Sequence, residues 1–192
     1  MRTALIVTLM LAVAVTLNVM AQSGRSDGPR YDGANLLRPA DYREWPFLGA
    51  GLGMTYDDGS PGAQSDRPEA FTSVFVNPTS YRSFMATGRW PDKTIFILEI
   101  RNSSSEASIN KAGRFQTDLI GLEAEVKDSR FPDGWAFFNF GTENAAARLT
   151  GEIEAGCVAC HTEHTAVERT FVQFYPTLLE VAREKGTLKP GF

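Results

Sequence analysis

The chain has 192 residues, 43% of them hydrophobic, and a formal net charge of -4. This length is enough for one domain with a hydrophobic core. The weakly acidic charge, without a basic cluster, argues against nucleic acid as a partner, because nucleic-acid-binding domains carry a basic stripe.

The first 21 residues have the pattern of a secretory signal peptide. Arg2 precedes the uncharged run TALIVTLMLAVAVTLNVMA, which ends in small residues at Val19 and Ala21. The most apolar part, residues 4–15, is shorter than the about 20 residues that a membrane-spanning helix needs. We expect cleavage after Ala21, a periplasmic or secreted mature chain without a membrane span, and a net charge of -5, because Arg2 is the only charged residue removed.

Little regular structure is predicted before the first strong strand pattern. Residues 22–37 are polar and glycine-rich, which predicts a flexible lead-in to a domain that spans residues 38–192. Asp41 could be the N-cap of a short helical turn that Pro46 interrupts. Residues 57–68 have the composition of a surface loop.

Four segments rich in β-branched and aromatic residues predict strands. They are AFTSVFV, TIFILEI, GLEAEVKD and GWAFFNFG, at residues 70–76, 94–100, 121–128 and 134–141. Two helices are predicted as well. The first, residues 77–88, begins at Asn77 or Thr79; the second, residues 165–186, is restarted or kinked at Pro176, and a glycine ends each. The predicted fold is α+β, with helices packed on an antiparallel sheet.

All cysteines and histidines of the chain lie in the segment CVACHTEH, which begins at Cys157 and precedes the second predicted helix. In the pattern C-x-x-C-H, two thiols one helical turn apart can each form a thioether with a porphyrin, and the next histidine ligates the iron. We therefore predict one covalently attached haem c on Cys157 and Cys160, with His161 as the axial ligand.

Two other uses of these residues fit the sequence less well. A structural zinc site draws its ligands from separated pieces of chain, whereas here all four would come from eight consecutive residues. A thiol redox pair normally follows a strand in a thioredoxin-like context, whereas TENAAARLTGEIEAG precedes this motif. Export also favours haem, since bacterial c-type haem is attached outside the cytoplasm.

The second axial position of the iron is predicted to be open or water-bound. His164 lies three residues beyond His161 on the same segment and is predicted to be a bystander. Met54 and Met85 are the methionines that remain after the signal peptide is removed, and a core or interface role is favoured for both. If either methionine ligates the iron, plain electron transfer becomes the expected function.

The order of several motifs resembles cytochrome P-460 and its relative cytochrome c′-β. The matching stretches run from about Tyr42 to Leu178: DYREWPFLG, FVNPTSY, GRWPDKTIFILEI, GLEAEVKDSRFPDGWAFFNFG, CVACHTEH and TFVQFYPTL. The resemblance implies a mostly antiparallel β fold, a homodimer and one c-type haem ligated by a single histidine. It also implies a distal face that is open to hydroxylamine or nitric oxide.

Members of this family differ in one feature of the haem. In cytochrome P-460 proper, a lysine forms an extra covalent link to the haem edge and a carboxylate assists proton removal from hydroxylamine. In cytochrome c′-β the link is absent and phenylalanines cap the pocket. The position before Glu99, where the resemblance places the lysine, holds Leu98, and Lys93 is the remaining candidate for a crosslink.

Several further residues are candidates for the pocket around the haem. Phe96 and Leu98 share one face of a predicted strand. Aromatic residues in strands are usually ordinary core residues, which is the favoured role here; the full set of distal-pocket candidates is Phe71, Phe75, Phe96 and Leu98. Glu123 and Glu125 alternate with apolar residues, which predicts a solvated face, but either could be the catalytic proton acceptor, with Glu123 favoured.

The missing lysine favours a protein that binds nitric oxide or a related small nitrogen species. The first alternative is a hydroxylamine-oxidising enzyme that passes electrons to a soluble cytochrome. The second is an electron-transfer cytochrome. The sequence leaves open whether the protein is an enzyme.

Overall fold

The structure is a computed structural model that describes residues 27–54, 69–141 and 143–192. The predicted signal peptide, its cleavage site after Ala21 and the surface loop predicted at 57–68 lie outside these ranges. Within them, no helix combines the length and the apolar character needed to cross a membrane.

Two antiparallel sheets organise the chain. The strands are β1 (Tyr31–Asp32), β2 (Asn35–Leu37), β3 (Phe47–Leu52), β4 (Phe71–Val76), β5 (Thr94–Ser104), β6 (Phe115–Lys127), β7 (Trp135–Asn139) and β8 (Ala145–Ala147). The larger sheet has the order β3-β4-β5-β6-β7, and the small sheet has the order β1-β2-β8. The four predicted strands correspond to β4, β5, β6 and β7, which confirms the α+β prediction.

The lead-in prediction is wrong for residues 31–37. These residues form β1 and β2, and Leu36 is completely buried opposite Ala146 of β8. The polar, glycine-rich composition concealed this element because the short hairpin is attached to the core by few apolar residues, chiefly Leu36 and Tyr31. Asp41 precedes a 3₁₀ helix at Tyr42–Glu44, which ends before Pro46 as predicted.

The described chain contains three α-helices, of which the first lies between β4 and β5 and the other two follow β8: α1 (Pro78–Thr87), α2 (Gly151–Glu163) and α3 (Pro176–Lys185). A proline at the first position and a left-handed glycine at the end bound both α1 and α3. The helix predicted at 165–186 therefore begins only at Pro176. A loop and a 3₁₀ helix, Val172–Phe174, precede it.

The larger sheet has two buried faces. Alternation along β5 directs Ile95 and Ile97 to a core that includes Leu36 of the small sheet; we call this the small-sheet face. Phe96 points the other way, to a core that includes Phe84 of α1 and Leu178 of α3; we call this the helix face. Helix α2 differs from the others, because none of its residues is buried.

Candidate functional site

A cavity of about 320 Å³ lies between the helix face of the sheet and the segment from α2 to the start of α3. Its size falls in the range of sites that bind small molecules and cofactors. The sheet lines it with mostly apolar side chains, and α2 adds two thiols and an imidazole. The lining includes Val74, Phe96, Leu98, Phe137, Cys157, Cys160, His161 and Phe171.

Helix α2 places the three motif residues on one side. Cys160 lies one turn after Cys157 and His161 follows directly, so all three reach the cavity while both thiols stay free. The helix carries two acidic residues in its first turn, where they suit its dipole, and one of them, Glu154, accepts from Nε of Arg148 at 2.7 Å. Helices are normally held by burying one face, so the motif side of α2 is suited to being covered by an occupant of the cavity.

The imidazole of His161 is held in one orientation. Its Nδ1 lies 2.8 Å from the carbonyl oxygen of Arg169, which can only accept, so Nδ1 carries the proton. Phe137 and Phe171 pack edge-on against the ring, with centroid distances of 4.7 and 4.8 Å. The remaining nitrogen, Nε2, keeps a free lone pair, which is the arrangement of a histidine that ligates a metal.

The family of the chain follows from this motif and a comparison over most of its length. The family described as cytochrome P460 matches residues 39–172. This chain belongs to the cytochrome P460 family. No curated protein matches it significantly. Members of the family bind haem c, and the chain is accordingly a c-type haem protein; the apolar cavity, the two free thiols and the oriented imidazole fit that cofactor.

The structure gives no support to the two alternative uses of the motif. Among the described residues, no group of three or more histidines, cysteines or acids is arranged to hold a metal ion. His164 is exposed beside Glu163, at 3.8 Å, and does not line the cavity. Burial, aided by the charge of Glu123, raises the pKa of the Cys157 thiol, whereas redox-active cysteines have a lowered pKa.

Two of the four distal-pocket candidates line the cavity, and two do not. Phe96 and Leu98 do so, whereas Phe75 pairs with Ile97 and packs against Tyr42 on the small-sheet face. Phe71 lies on the same side of β4 as Phe75, four residues away. Since side chains alternate along a strand, β4 instead presents Thr72 and Val74 to the cavity.

The predicted solvated face of Glu123 and Glu125 is wrong. In the antiparallel register, Glu123 pairs with Leu98 and Glu125 pairs with Phe96, so both acids share the helix face and line the cavity. Burial raises the pKa of both carboxyl groups. The neighbouring His161 offsets part of the rise for each, and Arg169 does so for Glu125. Alternation predicted two different faces of β6 correctly but gave no sign that both are covered.

Lys93 does not lie at the cavity. Its amine binds the buried carboxylate of Asp128 and lies 3.6 Å from Asp92. All five lysines of the chain lie in the described ranges, and none of them lines the cavity. The structure therefore offers no support for a lysine crosslink, and Leu98 occupies the cavity where the resemblance places one.

The loop after the motif, residues 164–171, is the part of the site that the sequence did not predict. Its backbone supplies the carbonyl that orients His161. Nζ of Lys127 lies 2.6 Å from the carboxylate of Glu168, and the indole N–H of Trp90 donates to the hydroxyl of Thr170 at 2.9 Å. These two contacts with residues of the loop hold it in place. The sequence predicted a helix over these residues. Trp90 was an available signal that this segment packs against the sheet, because a buried indole N–H needs a hydrogen-bond partner.

The two methionines lie in different surroundings. Met54 lines the cavity and is 39% exposed, so it lies at the rim. Met85 packs against the core of the helix face, as predicted, and does not line the cavity.

Proposed function

We propose that Cys157 and Cys160 hold one haem c, that His161 ligates its iron, and that the opposite side of the iron is open to nitric oxide or a related small nitrogen species. The observation that carries the proposal is the apolar cavity beside His161. Neither a second histidine nor a lysine lines it among the described residues. The haem supplies the iron whose free axial position would take the ligand.

The lining suits a small uncharged ligand. Phe96 and Leu98 offer no hydrogen bonds and keep water away from the space beside them, and a diatomic such as nitric oxide loses little hydration on entering. Meanwhile the Arg169 carbonyl and the rings of Phe137 and Phe171 hold the imidazole of His161 in position. The protein thus contributes orientation and exclusion of water.

The test begins with the exported protein and mass spectrometry, which should find one covalently attached porphyrin. The reduced protein should then show the Soret band of an ordinary c-type haem and bind nitric oxide and carbon monoxide readily. A Soret band shifted strongly to the red would indicate a crosslinked haem. A six-coordinate spectrum that carbon monoxide barely disturbs would contradict the open site.

One observation favours hydroxylamine oxidation as a second candidate. Glu123 lines the cavity, and burial raises the pKa of its carboxyl group, which suits a proton acceptor. Turnover of hydroxylamine with an electron acceptor by wild type, and its loss in Glu123→Gln, would establish this function. A soluble cytochrome would then be the physiological electron acceptor.

The position of Met54 favours the third candidate, electron transfer, because a thioether at the cavity could reach the iron. Export and a homodimer belong to the same proposal. Export is supported by the pattern of residues 1–21, and the homodimer by the resemblance to cytochrome P-460. N-terminal sequencing of the mature protein and its hydrodynamic mass test both.

A further inference from the structure

We propose that Glu125 is a positioning residue for His161, which places a buried negative charge beside the Nδ1–H of the imidazole and thereby strengthens its binding to iron. The inference rests on ligation by His161, which the proposed function also requires. It goes further by giving a role to a side chain behind the imidazole, beside the nitrogen that does not bind iron.

The contact between Glu125 and His161 is close and largely dry. Oε1 of Glu125 lies 3.2 Å from Nδ1 of His161, and the side chain of Glu125 is only 11% exposed. The Nδ1–H points to the carbonyl oxygen of Arg169, 2.8 Å away. Oε1 therefore has no hydrogen-bond partner in the described part of the chain. Although burial disfavours a charge here, the imidazole N–H and the guanidinium of Arg169 both stabilise the carboxylate form, which acts on the imidazole through its charge.

Three features keep the two side chains together. Pairing of β6 with β7 places Glu125 opposite Phe137 on the helix face. Phe137 and Phe171 contact the imidazole ring and prevent it from turning away. The guanidinium of Arg169, whose Nη1 is buried without a hydrogen-bond partner among the described residues, attracts the carboxylate and balances part of its charge.

The expected effect is a stronger iron ligand. A carboxylate beside the N–H of a metal-bound histidine raises the basicity of the imidazole. A more basic imidazole stabilises ferric over ferrous iron, so it lowers the reduction potential of a haem. Glu125 therefore biases the iron towards the oxidised state.

Glu123 provides a matched control. It is the same residue type on the same strand and the same face, two positions away, and it also lines the cavity. Its Oε1 lies 3.4 Å from Nδ2 of Asn139, and no hydrogen bond or ion pair joins it to His161 in the described structure.

The experiment compares haem-loaded wild type, Glu125→Gln and Glu123→Gln. Resonance Raman spectroscopy of the ferrous protein measures the iron–histidine stretching vibration, and a redox titration measures the potential. We expect Glu125→Gln to lower the vibration frequency and to favour reduction about tenfold, which is about 59 mV for one electron. Glu123→Gln, which removes a carboxylate without a direct contact to the imidazole, should shift the frequency much less than Glu125→Gln does.

An unchanged frequency in Glu125→Gln, or an equal shift in both variants, overturns the inference. The vibration would be absent from the wild type if another side chain occupied the second axial position of the iron. That result contradicts the proposed function and not the role of Glu125, which the reduction potentials of the variants then decide. If Glu125→Gln cannot be obtained with haem, Glu125→Asp replaces it in the experiment, because its side chain is shorter by one methylene and holds the carboxylate further from the imidazole. Its frequency should fall below that of wild type, and an unchanged frequency overturns the inference.

Discussion

The two faces of the larger sheet accommodate buried acids in different ways. On the small-sheet face, Glu99 accepts hydrogen bonds from Tyr42, Arg43 and Arg101, with a distance of 2.7 Å to Nη2 of Arg43. Burial alone would raise the pKa of Glu99, but the bonds from Tyr42 and Arg101 lower it below its usual value. On the helix face, burial raises the pKa of Glu123, whose carboxylate accepts from Nδ2 of Asn139 at 3.4 Å but is bonded by no arginine or tyrosine in the described residues.

This difference separates an acid that supports the fold from acids that belong to the site. A buried carboxylate surrounded by donors stabilises the native state at neutral pH. A buried carboxylate with too few donors costs stability, and such groups concentrate at functional sites. The sheet thus carries both kinds of acid, one on each side and only one strand apart.

The largest effect is expected from Glu99→Gln. The substitution leaves two arginines facing a neutral amide in a mostly buried site, and we expect it to lower the free energy of unfolding by about 3 kcal/mol at pH 7. Urea denaturation of the haem-loaded protein measures the loss. Because the pKa of Glu99 is lowered in the folded state, the loss should shrink as the pH falls below about 4. A loss as small as that of Glu123→Gln would contradict the distinction between the faces.

Glu123→Gln should have the opposite dependence on pH. Since burial raises the pKa of Glu123 in the folded state, ionisation of the unfolded chain above about pH 4.3 destabilises the wild type. The variant should therefore gain free energy of unfolding relative to wild type as the pH rises from 4 to 7. Denaturation at several pH values checks the sign. A constant difference would show that Glu123 titrates normally.

Lys93→Met should have a smaller effect. The amine is half-exposed, and Asp128 keeps Tyr31 as a donor at 3.0 Å, so we expect a loss of about 1 kcal/mol or less. The Soret band of the reduced variant should match that of wild type, because Lys93 does not line the cavity. A blue shift on substitution would mean that Lys93 had been linked to the haem.

Met54→Ala should leave the coordination of the iron unchanged. Met54 is exposed at the rim, and the proposal requires an open axial position. The absorption spectrum and the affinity for carbon monoxide should therefore equal those of wild type. A change from a six-coordinate to a five-coordinate spectrum would identify Met54 as a ligand and favour electron transfer. Met85→Ala, at a residue that packs in the core of the helix face, is the control.

Local patterns predicted most of the fold and the centre of the site. β-branched and aromatic runs identified β4 to β7, and proline and glycine marked the ends of α1 and α3. The spacing of Cys157, Cys160 and His161 indicated their chemistry without a structure. These signals lie within a few neighbouring residues, which is where periodicity and capping act.

Features that depend on distant parts of the chain were missed. The alternation of side chains along a strand predicted that Glu123 and Leu122 lie on opposite faces of β6. Whether the face of Glu123 is covered depends on α2, which lies about 30 residues further along. Phe71 and Phe75 were candidates for the pocket, and only the register with β5 shows that they face away from it. Likewise, the loop that orients His161 is fixed by Lys127 and Trp90, whose contacts no local pattern records.

Helix α2 buries none of its residues in the protein alone, which links the assembly of this protein to its prosthetic group. Polar contacts such as that of Glu154 with Arg148 hold residues 151–163 to the protein, and an occupant of the cavity bonded to the two thiols would add the apolar burial that this helix lacks. We therefore expect insertion of the cofactor to stabilise this segment and to complete the native structure.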